Sequence, residues 1–130
     1  MNFRNYEVPY EINEEYAKKA AYFSMEFAIH QPLKIYSGGL GFLAGSHLRS
    51  AYELRQNMIG IGILWKYGYY DQTRNQDQTL QVTFMEKQYS FLEDTGIKFQ
   101  ILIHESPVWV KAFYLKPETF CSAPLFASTA

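Results

Sequence analysis

The sequence predicts an α/β fold built around two parallel strands and the helix that joins them. A strand-like run covers residues 20–24, and a turn with three glycines in four positions, Gly38 to Gly41, stands directly before a helical pattern. An isoleucine-rich strand follows. The order of strand, glycine turn, helix and apolar strand is typical of a βαβ unit in a buried parallel sheet. Such sheets bind ligands at the carboxyl ends of their strands.

Each element has its own signal. Asn13 is expected to cap a short helix over residues 14–19. The central helix is predicted from apolar residues at three- and four-residue spacing. Its expected buried face contains Leu40, Leu43, Ala44, His47, Leu48, Ala51 and Leu54. Gly45 costs this helix about 1 kcal/mol relative to alanine. We therefore expect another backbone to approach the helix closely at Gly45.

The strand over residues 58–65 alternates isoleucine with glycine. Ile59, Ile61 and Ile63 point to one face, and Gly60 and Gly62 point to the other. A face without side chains must lie against a flat partner, either a helix or a ligand.

The remainder of the chain predicts a β-hairpin region added to this unit. We expect polar turns over 67–77, a strand over 79–85, a turn over 93–96, and two strands over 98–104 and 108–115. A new apolar segment opens at Pro124 and the sequence ends at Ala130. We expect this end to be a boundary within a larger protein, so that residues 1–130 form one incomplete domain.

Composition limits the function classes. The chain has 130 residues, 48% of them hydrophobic and 19% charged, which excludes a largely disordered protein. The net charge of −1 favours neither a nucleic-acid nor a membrane partner. A single cysteine, Cys121, predicts neither a disulfide nor a zinc site. With a polar start and no apolar run near the ~20 residues of a membrane helix, a cytoplasmic location is expected.

The glycine turn is the main candidate site. A bare backbone at a helix N-terminus offers N–H donors and a partial positive charge, which suit an oxyanion such as phosphate. The alternative is a tight packing turn without a ligand. Other candidates have simpler explanations: His47 is expected to be packed, His104 to pair with Glu105 at the surface, and His30 to lie in a loop or line a cleft. Lys34 and Arg49 are possible anion partners, although Arg49 is expected to meet water.

Four motifs in order resemble the N-terminal part of the α-glucan (glycogen/starch) phosphorylases, especially the short bacterial-type members. They are Ala21 to Phe27, Ile35 to Gly41, Leu43 to Leu48 and Gly60 to Tyr70. The resemblance implies a partial Rossmann-like first domain of the GT-B type, cut before the second domain. It implies a glycosyltransferase of carbohydrate metabolism that converts glucan and phosphate to glucose 1-phosphate.

The resemblance also implies site residues and partners. Gly38, Gly39, Leu40 and Gly41 would bind phosphate and the glucosyl unit, and Glu26 would lie near the active site. Pyridoxal phosphate would be carried on a lysine of the missing C-terminal domain, so this chain would hold no catalytic residue, no metal and no attachment lysine. A full-length protein could be a homodimer. Ala28 replaces an aromatic residue that long, regulated members place near the cofactor.

Two other functions stay open. The chain could be a stand-alone module that binds a glucan or sugar phosphate without chemistry. It could also be a fragment of a glycogen or starch synthase, whose nucleotide-sugar site uses a similar glycine-glycine-leucine turn. In synthases a lysine usually precedes that turn closely, whereas Ile35-Tyr36-Ser37 stands here.

Overall fold

A computed structural model describes residues 2–130. Its first half contains strand β1 (Ala20–Phe23), helix α1 (Gly39–Glu53) and strand β2 (Met58–Ile63), after two 3-10 turns at Phe3–Asn5 and Glu14–Tyr16. Its second half contains β3 (Asp71–Arg74), β4 (Leu80–Thr83), β5 (Glu93–Ile103), β6 (Ser106–Leu115), the short helix α2 (Pro117–Phe120) and β7 (Leu125–Thr129). The molecule is thus an α/β protein with one long helix.

Five strands form one mixed sheet in the order β1-β2-β7-β6-β5. Strands β1, β2 and β7 run parallel, which confirms the βαβ unit, and the β5–β6 hairpin extends the sheet in the antiparallel direction. The parallel sheet and the added hairpin are therefore one sheet. Strand β7, which arises from the apolar segment after Pro124, lies in the middle of it.

Helix α1 covers one face of the sheet. A side chain at Gly60 would meet Leu48 of α1, and one at Gly62 would meet Phe27. The glycine face of β2 therefore packs against a helix at Gly60, which confirms one of the two predicted partners, and against the ring of Phe27 at Gly62. Phe27, Leu48 and Leu125 are fully buried in this core.

The opposite face is only partly covered, so the sheet is buried on one side alone. Phe3 and Tyr6 pack against Tyr114 and Phe126 there. Beyond these residues the face is open, and its large apolar side chains include Phe23, Ile63, Phe99, Ile101 and Ile103, each more than a third exposed.

The predicted buried face of α1 is correct for Ala44, Leu48 and Ala51 and wrong for its other four residues. The buried residues are Gly41, Ala44, Gly45, Leu48 and Ala51. The predicted members Leu40, Leu43 and Leu54 are about half exposed or more, and His47 is also exposed. Glycine and alanine let α1 approach the chain beneath it closely, so these small residues and Leu48 turn inward, while Leu40, Leu43 and Leu54 turn outward.

Three local predictions need correction. The segment at 93–96 is part of β5, where it forms a bulge: the register shifts between Asp94 and Lys98, and the Asp94 side chain accepts a hydrogen bond from the Gly96 N–H at 3.0 Å. Part of the stretch at 67–77 forms β3, which pairs with β4 in a separate hairpin. The helix over 14–19 shortens to one 3-10 turn, although Asn13 caps it as expected.

Candidate functional site

The glycine turn leads directly into α1. Gly38 has an extended backbone and is the N-cap residue, and the helix begins at Gly39. The carbonyl of Gly38 accepts hydrogen bonds from the N–H groups of Gly41 at 3.1 Å and Phe42 at 3.3 Å. The N–H groups of Gly39 and Leu40 have no acceptor among residues 2–130. Two donors at the positive end of a helix are therefore free to bind an anion.

The space around the turn differs from one glycine to the next. A Cβ built at Gly38 or Gly39 meets no atom within 4 Å. A Cβ built at Gly41 would lie 2.6 Å from the Cβ of Tyr36 and 3.2 Å from Oε2 of Glu26. Packing therefore requires glycine at Gly41, whereas no protein atom requires it at Gly38 or Gly39. Leu40, which is half exposed, lies beside this open space.

Glu26 holds the turn in place. Its carboxylate accepts hydrogen bonds from the Ser37 N–H at 3.3 Å, from the Ser37 hydroxyl at 3.0 Å and from the Tyr69 hydroxyl. These donors stabilise the charged carboxylate, so the pKa of Glu26 is lowered, with the Tyr69 hydroxyl as the largest cause. Burial and the contact with Glu26 raise the pKa of Tyr69. The geometry indicates that Glu26 positions the residue directly before the glycines.

The backbone around Glu26 is itself fixed. The hydroxyl of Ser24 donates to the Glu26 carbonyl at 2.9 Å, and the N–H of Ala28 donates to the Gly41 carbonyl at 2.9 Å. At Gly45 the helix passes so close to Ala28 that an added Cβ would lie 2.8 Å from the Ala28 carbonyl carbon. This confirms the close backbone approach predicted at Gly45. The irregular segment after β1 that carries Glu26 is thereby held against the start of α1.

Replacing Tyr69 with phenylalanine is expected to raise the pKa of Glu26 toward its ordinary value of 4.5, because the largest stabilising contact is lost. A lowered carboxylate pKa stabilises the fold above the unfolded-state pKa, and that stabilisation is lost as the pH falls through the folded-state pKa. The variant should therefore have less of this stabilisation at neutral pH, and its loss should be complete at a higher pH than in the wild type. NMR titration of the Glu26 carboxyl carbon measures the pKa directly.

Tyr70→Phe is the matched control, since among residues 2–130 the Tyr70 hydroxyl has a single hydrogen-bond partner, the exposed Gln72 side chain, which donates to it at 3.4 Å. An unchanged pKa of Glu26 in Tyr69→Phe, or an equal change in both variants, would show that Tyr69 does not hold this carboxylate.

The three histidines have different surroundings. The ring of His47 stacks on Tyr22 at 4.8 Å between centroids but is exposed, so the expectation of a packed histidine is only partly met. His30 is half-buried between the rings of Phe91 and Phe120. His104 is exposed in the tight turn between β5 and β6, and it makes no ion pair with Glu105.

The remaining candidates have varied surroundings. Arg49 is exposed, as expected, and its guanidinium also donates a hydrogen bond to the Ile29 carbonyl. The backbone N–H of Lys34 donates to the Tyr89 hydroxyl at 3.1 Å. Cys121 is exposed at the end of α2. Within residues 2–130, no group of three metal-ligating side chains is found, and no helix is both long and apolar enough to cross a membrane.

Sequence reasoning missed Tyr69 as a site residue. Its stretch is polar and rich in turn formers, which hid the fact that the chain returns to the glycine turn there. The N–H of Tyr69 donates to the Lys34 carbonyl at 3.3 Å, just before the turn begins. Only the fourth quoted motif, which ends at Tyr70, contained a signal for it.

Comparisons with known proteins give relatives that are much longer than this chain. An uncharacterised protein of Methanocaldococcus jannaschii is 52% identical over 112 residues, which are 86% of this chain and 22% of that protein. A glycogen phosphorylase of Mycobacterium tuberculosis is 38% identical over 82 residues, 63% of this chain and 9% of the enzyme. A maltodextrin phosphorylase of Thermococcus litoralis is 48% identical over 56 residues, 43% of this chain and 7% of the enzyme.

No model of a known protein family matches the chain. The chain therefore has partial similarity to glycogen and maltodextrin phosphorylases, and it spans less than a quarter of the length of each of these relatives.

Proposed function

We propose that this chain supplies the phosphate- and glucosyl-binding turn of an α-glucan phosphorylase, which converts glucan and phosphate to glucose 1-phosphate. The observation that carries the proposal is the pair of free N–H groups at Gly39 and Leu40, at the start of α1 and beside open space. The partial similarity to enzymes named as phosphorylases supports it. In this proposal Gly38 leaves room for the anion, Gly39 and Leu40 donate hydrogen bonds, and the Leu40 side chain touches the sugar.

Glu26 acts in this proposal as a positioning residue. Its hydrogen bonds are used on Ser37 and Tyr69, both within the protein. A carboxylate that contacted phosphate directly would repel it, and these donors keep the charge of Glu26 engaged on the protein side of the turn. Gly41 also positions the turn. Its N–H donates to the Gly38 carbonyl, and its lack of a side chain lets Tyr36 and Glu26 pack against the start of α1.

The cofactor implied by the phosphorylase similarity is pyridoxal phosphate, whose phosphate handles the proton in the reaction when it is bound. The open turn fits the approach of a phosphate group. The cavities that adjoin the turn, one lined by Leu40 and the other by Tyr36 and Phe42, include no lysine among residues 2–130. In this proposal the attachment lysine belongs to the second lobe of a longer protein.

The 130-residue chain alone is accordingly expected to release no glucose 1-phosphate from glucan and phosphate. It is also expected to show no absorbance of bound pyridoxal phosphate after incubation with the cofactor. A coupled assay and an absorbance spectrum check both statements. Either signal at a level above that of a heat-denatured sample would contradict the proposal that the cofactor is bound by a second lobe.

Binding by the turn has a separate readout. With a 15N-labelled chain, titration with inorganic phosphate and with glucose 1-phosphate is expected to shift the amide signals of Gly39 and Leu40 more than those of the helix interior. If this chain shows saturable shifts but a longer protein that contains it shows no phosphorylase turnover, the stand-alone binding module is favoured. The absence of any shift at these two amides would indicate that the turn has a packing role and binds no anion.

A further inference from the structure

A cavity of about 510 Å³ lies at the amino ends of the parallel strands β1 and β2. It is lined by residues 19–21, where β1 begins, and by Asn57 and Ile59, where β2 begins. The glycine turn follows the other end of β1, and none of its residues lines this cavity. The volume lies within the range of small-molecule sites in proteins.

The N-terminal segment forms the outer wall of the cavity through Phe3, Tyr6 and Val8. The hydroxyl groups of Tyr6 and Tyr114 share a hydrogen bond at 3.0 Å. The rings of Phe3 and Tyr6 pack edge to face on Phe126, at 6.1 and 5.1 Å between centroids. Val8 is buried. These contacts hold the segment against the sheet, so the wall is in place without a ligand.

The floor of the cavity is apolar and belongs to the sheet face opposite α1. Ala21 and Ile59 are partners in the register of β1 and β2, and Phe126 and Ile97 line the floor from β7 and β5. Ala21 is exposed, so its small side chain leaves space that a larger one would fill. Apolar ligand surface that enters this space is removed from water, which favours binding.

Two cationic side chains, those of Arg4 and Lys19, line the cavity, and no aspartate or glutamate among residues 2–130 does. Both cations are exposed, and neither forms an ion pair with a carboxylate in this part of the chain. Asn57 also lines the cavity, but its side-chain amide already donates to the Ala17 carbonyl at 3.0 Å. Positive charge therefore lies beside an apolar interior without a counter-ion from the described protein.

We propose that this cavity binds a medium-chain carboxylate, with the alkyl chain on the apolar floor and the carboxylate at Arg4 and Lys19. Charge complementarity selects an anionic head group, and guanidinium and ammonium groups both donate hydrogen bonds to carboxylate oxygens. A flexible chain can follow a cavity whose walls come from separate segments. The proposal goes beyond the function proposed for the turn and does not depend on it, because the two sites share no residue.

The test is an NMR titration of the chain, with 13C-labelled isoleucine methyl groups, using octanoate, butyrate and octylammonium. Octanoate is expected to give saturable shifts at Ile59 and Ile97, whereas Ile35, which is buried in the core beneath α1, should not shift. Each buried methylene group is worth about fourfold in affinity, so butyrate should bind at least tenfold more weakly. Octylammonium has the same chain and the opposite charge, and it should also bind at least tenfold more weakly.

Two double variants test the role of the cations. Arg4→Gln combined with Lys19→Gln should weaken octanoate binding at least fivefold. Lys18→Gln combined with Arg74→Gln removes the same charge from positions outside the cavity and should leave binding unchanged. All four positions are exposed, so both double variants should melt near the temperature of the wild type.

A variant that fills the cavity tests the apolar floor without a change of charge. Ala21→Leu places a larger side chain in the space beside Ile59 and should weaken octanoate binding at least tenfold. Its melting temperature should not fall, because position 21 is exposed and the new side chain gains apolar contacts.

Several outcomes would overturn the proposal. One is the absence of saturable shifts at Ile59 and Ile97, or shifts confined to Ile101 and Ile103 on the open part of the sheet face. Others are butyrate or octylammonium binding as tightly as octanoate, an equal loss in both double variants, and unchanged binding in a folded Ala21→Leu variant. None of these results bears on the phosphate titration of the turn, so the two proposals fail separately.

Discussion

Replacing Gly45 with alanine is expected to lower the free energy of unfolding by about 2 kcal/mol, although alanine is the better helix former by about 1 kcal/mol. The added Cβ would lie 2.8 Å from the carbonyl carbon of Ala28 and closer still to its oxygen. Overpacking usually costs about 1–3 kcal/mol, and this contact is with backbone rather than with a mobile side chain. The Ala28 backbone is also held by its hydrogen bond to Gly41, so it cannot simply move away.

Thermal denaturation followed by circular dichroism measures the effect. At roughly 4 °C per kcal/mol for a chain of this size, the melting temperature should fall by about 8 °C. Ser50→Ala is the control, because Ser50 is exposed on the same helix and reports the gain in helix propensity without a new contact. A Gly45→Ala variant at least as stable as the wild type would mean that the helix and the Ala28 segment can separate at little cost.

The parts of the fold that could be predicted are those that glycine residues mark in the sequence, such as the contact between Gly45 and Ala28. The start of α1, the close approach at Gly45 and the packing of the Gly60 and Gly62 face all follow from residues that lack side chains at regular positions. These features depend on neighbours in the sequence and on the size of one side chain. The sequence therefore indicates them without knowledge of the partner.

The predictions that were wrong concern features that depend on residues distant in the sequence. Leu40 and Leu43 satisfy a helical pattern, but the depth at which α1 packs is set by Gly41 and Gly45, which rotates the leucines outward. The turn signals at Asp94 and Gly96 are real, and the chain uses them as a bulge because β6 continues to pair on both sides. Local preference gives the turn chemistry, while pairing with β6 decides that the strand continues.

The candidate site likewise has features that the sequence indicates and features that it does not. The free amides at Gly39 and Leu40 follow from a glycine turn before a helix, so the turn could be selected from sequence. The hydrogen bonds of Glu26 to Ser37 and Tyr69 span 11 and 43 residues, and no periodicity or spacing rule relates such positions. The resemblance to phosphorylases drew attention to Glu26, and the geometry then gives it a role in positioning the turn.

Replacing Gly39 with valine is expected to abolish phosphate binding at the turn while leaving the fold intact. A Cβ at Gly39 meets no protein atom, so the β-branched side chain would occupy the open space where the anion approaches. Valine is a slightly better helix former than glycine, so the substitution does not weaken α1 through intrinsic propensity. The loss should therefore appear as at least a tenfold weaker phosphate titration at the Leu40 amide, with a nearly unchanged melting temperature.

In a longer phosphorylase that contains this segment, the same substitution should reduce turnover by about 10²–10³-fold. The valine side chain would keep the anion away from the N–H donors, and losing the contact with one such donor usually costs this much. Ser50→Val serves as the control, since it places the same β-branched side chain on the exposed side of α1, away from the turn. If Gly39→Val binds phosphate as the wild type does while Ser50→Val is also normal, the two amides are not the anion site. The open space at Gly39 would then have no role in binding phosphate.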